Sequence, residues 1–290
     1  MGMKIPSQFT AIFVTFLVGY GSHLFAEGQL GPTKGPTSKL YLSETKGTGH
    51  IYTDGKIFEP KQATAFDAPG TVIETEANSH QAYVYSNGTA MYVDASTRLE
   101  VNKFVQERFL PNSNTTEAEP SASQSDIFIW HGMVGVCTSN LVSGSTMNYS
   151  TEHGTVTIRG RKIAIQTSPE ETIVYLIDGD VTVRTGKNDT GGHVLKSGER
   201  AIIRPGAAGS PATVTIDEID KNFLAQLDEK VAVACNARRT VSFETIEKNA
   251  EFGAAGTNAA DPASNGEIVP VPVVPQNPPV NITVSPDRIL

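Results

Sequence analysis

The sequence predicts an all-β domain followed by one packed helix and a proline-rich tail, and three observations carry that prediction. Short apolar runs recur from about Leu40 to Val214, separated by turn residues that include Gly70, Gly132, Gly144, Gly154, Gly160 and Gly198. Asn87-Gly88 and Asp178-Gly179 each divide two such runs, which is a strong hairpin signal because such turns need positive φ at both central residues. Helical spacing is convincing only once, in Ile216, Ile219, Phe223, Leu227 and Val231. Many short strands with regular turns imply a roll, a sandwich or a solenoid rather than a βαβ fold.

Residues 1–26 read as a secretory signal peptide. Lys4 supplies a positive start, Phe9 to Val18 form the apolar core, and Ala26 is a small residue suited to the position before cleavage. Gly19, Gly21, Ser22 and His23 interrupt the apolar stretch before it reaches the ~20 residues that span a bilayer. After cleavage the protein is therefore expected not to be an integral membrane protein. The whole chain carries 23 basic and 31 acidic residues, and only Lys4 is lost with the signal, leaving 22 against 31, a net charge of −9. That balance argues against a nucleic-acid partner, whose phosphates favour a basic face.

Residues 27–39 form a Gly/Pro-rich flexible leader without apolar periodicity. In the β region that follows (40–214), a two-residue Asn87-Gly88 turn would place Val84 opposite Met91 and Ala82 opposite Val93. Tyr83, Tyr85 and Tyr92 would then share the other face. Asp178-Gly179 would repeat the device, with Val174, Leu176, Val181 and Val183 on one face. Further strands are expected at 71–74, 98–101, 127–130, 156–158, 162–166, 194–195 and 201–204. Residues 106–126 are polar and lack an apolar period, which predicts a surface loop. The helix is expected from Asp217 onward with acid in its first turn, inside a helical extension over 215–252. The tail, 253–290, holds Pro270, Pro272, Pro275, Pro278 and Pro279, which favours an extended polyproline-II spacer or docking peptide.

Catalytic spacing is missing from the chain. The six histidines are scattered without a His-x-x-x-His or Glu-x-x-His pair, so no metal set is predicted, and no Gly-x-Ser-x-Gly elbow supports a serine nucleophile. Asp178-Gly179-Asp180 lacks the further oxygen ligands of a calcium loop and reads as a turn. No catalytic residue, cofactor site or metal site is therefore assigned. Cys137 and Cys235 either pair, as exported thiols often do, or remain two buried or free thiols. Tyr83, Tyr85, Tyr92 and Trp130 are candidate ligand-contact aromatics, the competing reading being sheet packing.

Several motifs occur in a set order between about Ala65 and Pro205. They are Gly70-x-x-Ile73-Glu74-Thr75-x-Ala77-Asn78-Ser79, the Asn87-Gly88 turn, Ser96-Thr97-x-Leu99, Ile158-Arg159-Gly160, Asp178-Gly179-x-Val181-x-Val183 and Leu195-Lys196-Ser197-Gly198-Glu199-Arg200. Together they resemble the FecR domain, with one departure: a Thr commonly follows the family's Arg-Gly pair, where this chain has Arg161. The resemblance implies a bacterial envelope protein whose β-roll or solenoid-like domain lies outside the inner membrane, in the periplasm or beyond the cell. Only Met1–Gln8 precede the apolar segment, so the cytoplasmic module of the family's signal transducers is not expected. The function expected is non-catalytic binding or assembly at the envelope, with an envelope protein or a glycan as partner. One alternative is a periplasmic component of a signalling relay that works through a separate membrane partner. Another is a carbohydrate-binding module or carbohydrate-active enzyme.

Overall fold

A computed structural model describes residues 38–107, 109, 117–186, 189–206, 210–247 and 266–272. The expected signal peptide, nearly all of the leader and most of the tail lie outside the described residues. The described chain is mostly strand with a single C-terminal helix, in agreement with the predicted fold class.

Seventeen strands form one hydrogen-bonded, unclosed sheet that folds over itself into two layers joined by one long strand. Layer A contains β4 (Thr64–Asp67), β1 (Lys39–Lys46), β6 (His80–Tyr85), β7 (Ala90–Val93), the second half of β9 (Ser123–Cys137), β12 (Lys162–Thr167), β13 (Thr172–Asp178), β16 (Glu199–Arg204) and β17 (Thr213–Glu218), in that spatial order. Layer B runs β3 (Lys56–Phe58), β2 (Gly49–Thr53), β5 (Val72–Thr75), β8 (Arg98–Gln106), the first half of β9, β10 (Thr146–Ser150), β11 (Thr155–Ile158), β14 (Val181–Arg184) and β15 (His193–Leu195). A single wrapping rule recurs along the chain. In β5–β8 the inner strands β6 and β7 pair in layer A while β5 and β8 pair in layer B, and β11–β14 repeat it with β12–β13 inside and β11–β14 outside.

Alternation of side chains across each strand builds two cores. Between the layers lie Leu40, Leu42, Ile73, Tyr83, Tyr85, Met91, Leu99, Ile127, Ile129, Val134, Val136, Ile163, Ile165, Val174, Leu176, Val181 and Val183, all buried. The outer face of layer A presents Ala82, Val84, Ala90, Tyr92, Met133 and Ala164 to helix α1 (Lys221–Thr240), which buries Leu227, Val231, Ala234 and Ala237 against it. Small residues let the helix come close: a Cβ built on Gly135 would sit 3.0 Å from Val231 Cγ2.

Four expectations are corrected. The β6–β7 loop has three residues, not two: the Tyr85 amide donates to the Thr89 carbonyl at 2.8 Å, and Gly88 takes φ +81°. Val84 therefore pairs with Ala90 and Ala82 with Tyr92. A one-residue slip exchanges faces, so Tyr92 lies under the helix while Tyr83 and Tyr85 enter the inter-layer core. Asp178-Gly179 is a corner between layers, not a hairpin, because β13 pairs with β12 and β16 while β14 pairs with β11 and β15. The four valine and leucine positions named for that unit do share the inter-layer core. The helix starts at Lys221, since Ile216 and Asp217 belong to edge strand β17, and Asp220 is its N-cap, accepting from the Asn222 and Phe223 amides. Within 106–126, β8 reaches Gln106 and β9 begins at Ser123, and buried Glu119 anchors the segment rather than lying on the surface. Its carboxylate accepts from Asn87 Nδ2 (3.2 Å), Ser123 Oγ, Ser145 Oγ (2.5 Å) and the Val142 amide (3.2 Å).

Within the tail, Gly266–Pro272 forms β19, a strand paired antiparallel with β18 (Val241–Glu247) in a separate two-stranded sheet. This stretch is thus a paired strand and not a free polyproline-II spacer. Pro270 and Pro272 are two residues apart, so both missing donors fall on one side of β19, leaving its other side to pair.

Candidate functional site

The predicted site residues are dispersed by the fold. Tyr83 and Tyr85 are buried in the inter-layer core, at 0% and 2% exposure, and burial pushes both phenols well above their ordinary range. Tyr85 packs against Phe104 with ring centroids 5.1 Å apart. Tyr92 is buried beneath α1, and its hydroxyl donates to Asp94 Oδ1 at 3.1 Å. Burial, together with that carboxylate, keeps the phenol neutral. All three rings are buried in the packing between strands or beneath the helix. Cys137 and Cys235 are bonded, with Cα atoms 5.2 Å apart, and the link fastens α1 to β9.

Trp130 differs from the tyrosines. It is the chain's single tryptophan and is 46% exposed on the outer face of layer B. Its indole meets the Phe128 ring edge-on at 4.7 Å between centroids. Alternation along β9 puts Asp126, Phe128 and Trp130 outward while Ile127 and Ile129 point into the core. Across the same face the Glu74 carboxylate takes one hydrogen bond from Tyr52 (2.9 Å) and an ion pair from Arg98. Farther along, Arg184 donates to Thr157 (3.1 Å), which donates to Asn148 (2.9 Å). α1 packs on the other layer, and among the described residues no helix lies on this face.

Two residues beyond Trp130 the strand turns from layer B into layer A at Gly132, φ +97°. A Cβ there would lie 2.5 Å from Thr97 Cα, so only glycine permits the corner. Thr97 holds the bend by accepting from the Met133 amide at 3.0 Å. On the layer A side of the corner is a cleft of about 260 Å³. Met133, Leu227 and Phe223 supply its apolar lining, Gln166 and Gln226 its amides, and Asp94 with Lys230 an ion pair at 2.5 Å. The N-terminal half of α1 is therefore one wall of the cleft, and the disulfide lies five residues past Lys230 on the same helix.

Asp94, Gln166, Gln226 and Lys230 were not legible as a group in the sequence. Asp94 and Lys230 are 136 positions apart and meet only because α1 returns over β7 and β9. Among the described residues no cluster of three or more His, Cys, Asp or Glu side chains could hold a metal ion, and no helix is long and apolar enough to cross a membrane.

No family model and no curated protein matches the chain. Two crystal structures of a proposed anti-sigma factor from Parabacteroides distasonis, at 2.50 and 1.65 Å resolution, align with TM-score 0.39 at 14% and 13% identity. The alignment covers 53% of this chain and 62% of that one, less than two thirds of its length.

Proposed function

We propose that this chain is an exported, non-catalytic binding protein of the bacterial envelope, and that it recognises an envelope protein through the corner of β9. The observation that carries the reading is Trp130, exposed on the outer face of layer B, packed against Phe128, and two residues before Gly132, which lines the cleft. Exposed tryptophans of this kind are enriched among the residues that dominate protein interfaces. Export is supported by the Phe9–Val18 segment behind Lys4 and by the disulfide, a bond that persists in oxidising compartments. The ordered motifs between Ala65 and Pro205 support a FecR-type role outside the inner membrane.

The test is affinity capture from detergent-solubilised envelopes of the host with residues 27–290. Trp130→Ala and a chain ending at Gly253 serve as comparisons. A specific exported protein retained by the parent and the shortened chain but lost with Trp130→Ala is the expected result. Equal retention by Trp130→Ala would remove the corner from the interface, and retention of polysaccharide alone would replace the protein partner with a glycan.

A further inference from the structure

We infer that the cleft beside Gly132 receives one uncharged apolar side chain of a partner peptide together with the amides on either side of it. This rests on the binding reading above and names the chemistry of its ligand. Size is the first argument. At about 260 Å³ the cleft falls below the ~300–1,000 Å³ typical of sites for drug-sized ligands, so it suits a single residue.

Charge is the second argument. Lys230 Nζ contacts Asp94 Oδ2 at 2.5 Å, and Asp94 Oδ1 accepts from Tyr92, so both charges are already answered. An ionic ligand would have to break that pair, whereas a neutral one leaves it in place. Lining chemistry is the third. Met133 and Leu227 are buried and Phe223 half-buried, and a thioether beside aliphatic and aromatic carbon adapts to side chains of several shapes. Gln166 and Gln226 are exposed lining residues; Gln226 offers one acceptor and two donors, and Gln166, whose Oε1 accepts from the Tyr175 hydroxyl at 3.5 Å, offers its two donors. A peptide unit has the matching pair, one N–H and one C=O. A sugar would set several hydroxyls against Met133, Leu227 and Phe223, where they would lose hydrogen bonds to water without replacement.

Gln166 and Gln226 are the exposed residues of the lining, with Asp94, Ala95 and Lys230 half-buried beside them.

N-acetyl-leucinamide and N-acetyl-phenylalaninamide are suitable probes, each being one side chain between two amides. They would be titrated to about 20 mM into the oxidised, isotope-labelled mature protein and followed by amide shifts, since millimolar affinity is what so small a contact supports. N-acetylglucosamine and sodium acetate serve as the glycan and anion controls. Saturable shifts concentrated at Gly132, Gln166 and Leu227 are expected for the two capped amino acids, and none for the controls. Gln226→Arg, an exposed change that lays a long cation over the mouth, should weaken binding at least tenfold; Ala95→Phe, which fills the cleft, should abolish it in a spectrum that remains dispersed.

Absence of saturable shifts overturns the inference, as do shifts of equal size with N-acetylglucosamine or unchanged binding by Gln226→Arg. The two readings fail separately. If capture depends on Trp130 but the capped amino acids leave the cleft silent, only the ligand assignment falls. Probe binding without Trp130-dependent capture removes the protein-partner reading and leaves the cleft as a small-molecule site.

Discussion

Removing the disulfide should lower global stability by several kcal/mol, and the size follows from the chain between the two cysteines. Cys137 and Cys235 are 98 positions apart. Cross-linking a loop of about 100 residues removes roughly 4.7 kcal/mol of chain entropy from the unfolded state. With a urea slope of about 2.5 kcal/mol/M for a domain of this size, the unfolding midpoint of Cys137→Ser/Cys235→Ser should fall by about 2 M. Two probes decide how the loss is distributed. Trp130, the chain's single tryptophan, reports layer B by fluorescence, and far-ultraviolet ellipticity reports α1. The transitions should coincide, because α1 also buries Leu227, Val231 and Ala234 on layer A and should not leave before the roll opens. A midpoint change below about 0.4 M, worth ~1 kcal/mol, would refute the entropic reasoning. If ellipticity fell well before fluorescence, the bond would be a local clasp on the helix and not a constraint on the whole fold.

Three other perturbations test separate features. Gly160→Ala would drive a Cβ into the Asp180 backbone nitrogen and to 3.0 Å from the Gly179 carbonyl carbon, and should cost ~2–4 kcal/mol in denaturant unfolding without changing the helix signal per folded molecule. Glu119→Gln replaces an acceptor-only carboxylate with an amide facing Asn87, Ser123, Ser145 and the Val142 amide, so about 1.5–3 kcal/mol should be lost, while Glu119→Asp should lose less because it keeps the charge. Asp217 sits below its ordinary range because Arg200 donates to it, at 2.7 Å from Nε. Its folded value lies below its unfolded one, so its contribution is present above about pH 4 and is lost as pH falls through the folded value. Thermal midpoints taken from pH 5 to pH 2 should therefore drop less steeply for Asp217→Asn, and an unchanged slope would mean the pair is screened away.

Local pattern located the strands well, because period-2 alternation and glycine turns are properties of neighbouring residues. Val156–Ile158 and Lys162–Gln166 were legible, as was the apolar face shared by Val174, Leu176, Val181 and Val183. Pairing was less legible. Asp178-Gly179 satisfies a hairpin and a corner equally, and the choice depends on whether β12 and β16 are present to pair with β13, which no local window contains. Asn87-Gly88 was a genuine turn signal, yet Ser86 joined the loop, and that one residue moved Tyr92 from the predicted face to the opposite one. Helical spacing ran falsely back to Ile216 because an edge strand that contains Ile216 and Asp217 and ends at Glu218 leads directly into the cap at Asp220. The cleft could not be read from the sequence, since its walls come from four elements and its ion pair spans 136 positions.

The two outer faces of the folded sheet differ in what covers them, and that difference bears on the role proposed for Trp130. Layer A offers Ala82, Ala90, Gly135 and Ala164, a shallow apolar floor that a helix carrying Ala234 and Ala237 can approach closely, and α1 covers it. Layer B offers Thr157, Asn148, Arg184, Glu74 and Arg98, which hydrogen-bond or ion-pair with one another, and among the described residues no helix lies on it. Trp130 and Phe128 share that face with the exposed Ile57, Val105 and Val194, and differ from them in bringing two aromatic rings together edge-on. Trp130→Ala should therefore cost only ~1 kcal/mol, mostly the edge contact with Phe128. Tyr85→Ala removes a ring buried against Phe104 and should cost ~3–5 kcal/mol. Capture of the partner should respond in the opposite order, abolished by Trp130→Ala and retained by whatever fraction of Tyr85→Ala remains folded. Urea midpoints and captured yield, measured on the same two variants, check both halves. A loss of ~3 kcal/mol or more at Trp130 would make it a structural residue of layer B and withdraw the face as a recognition surface.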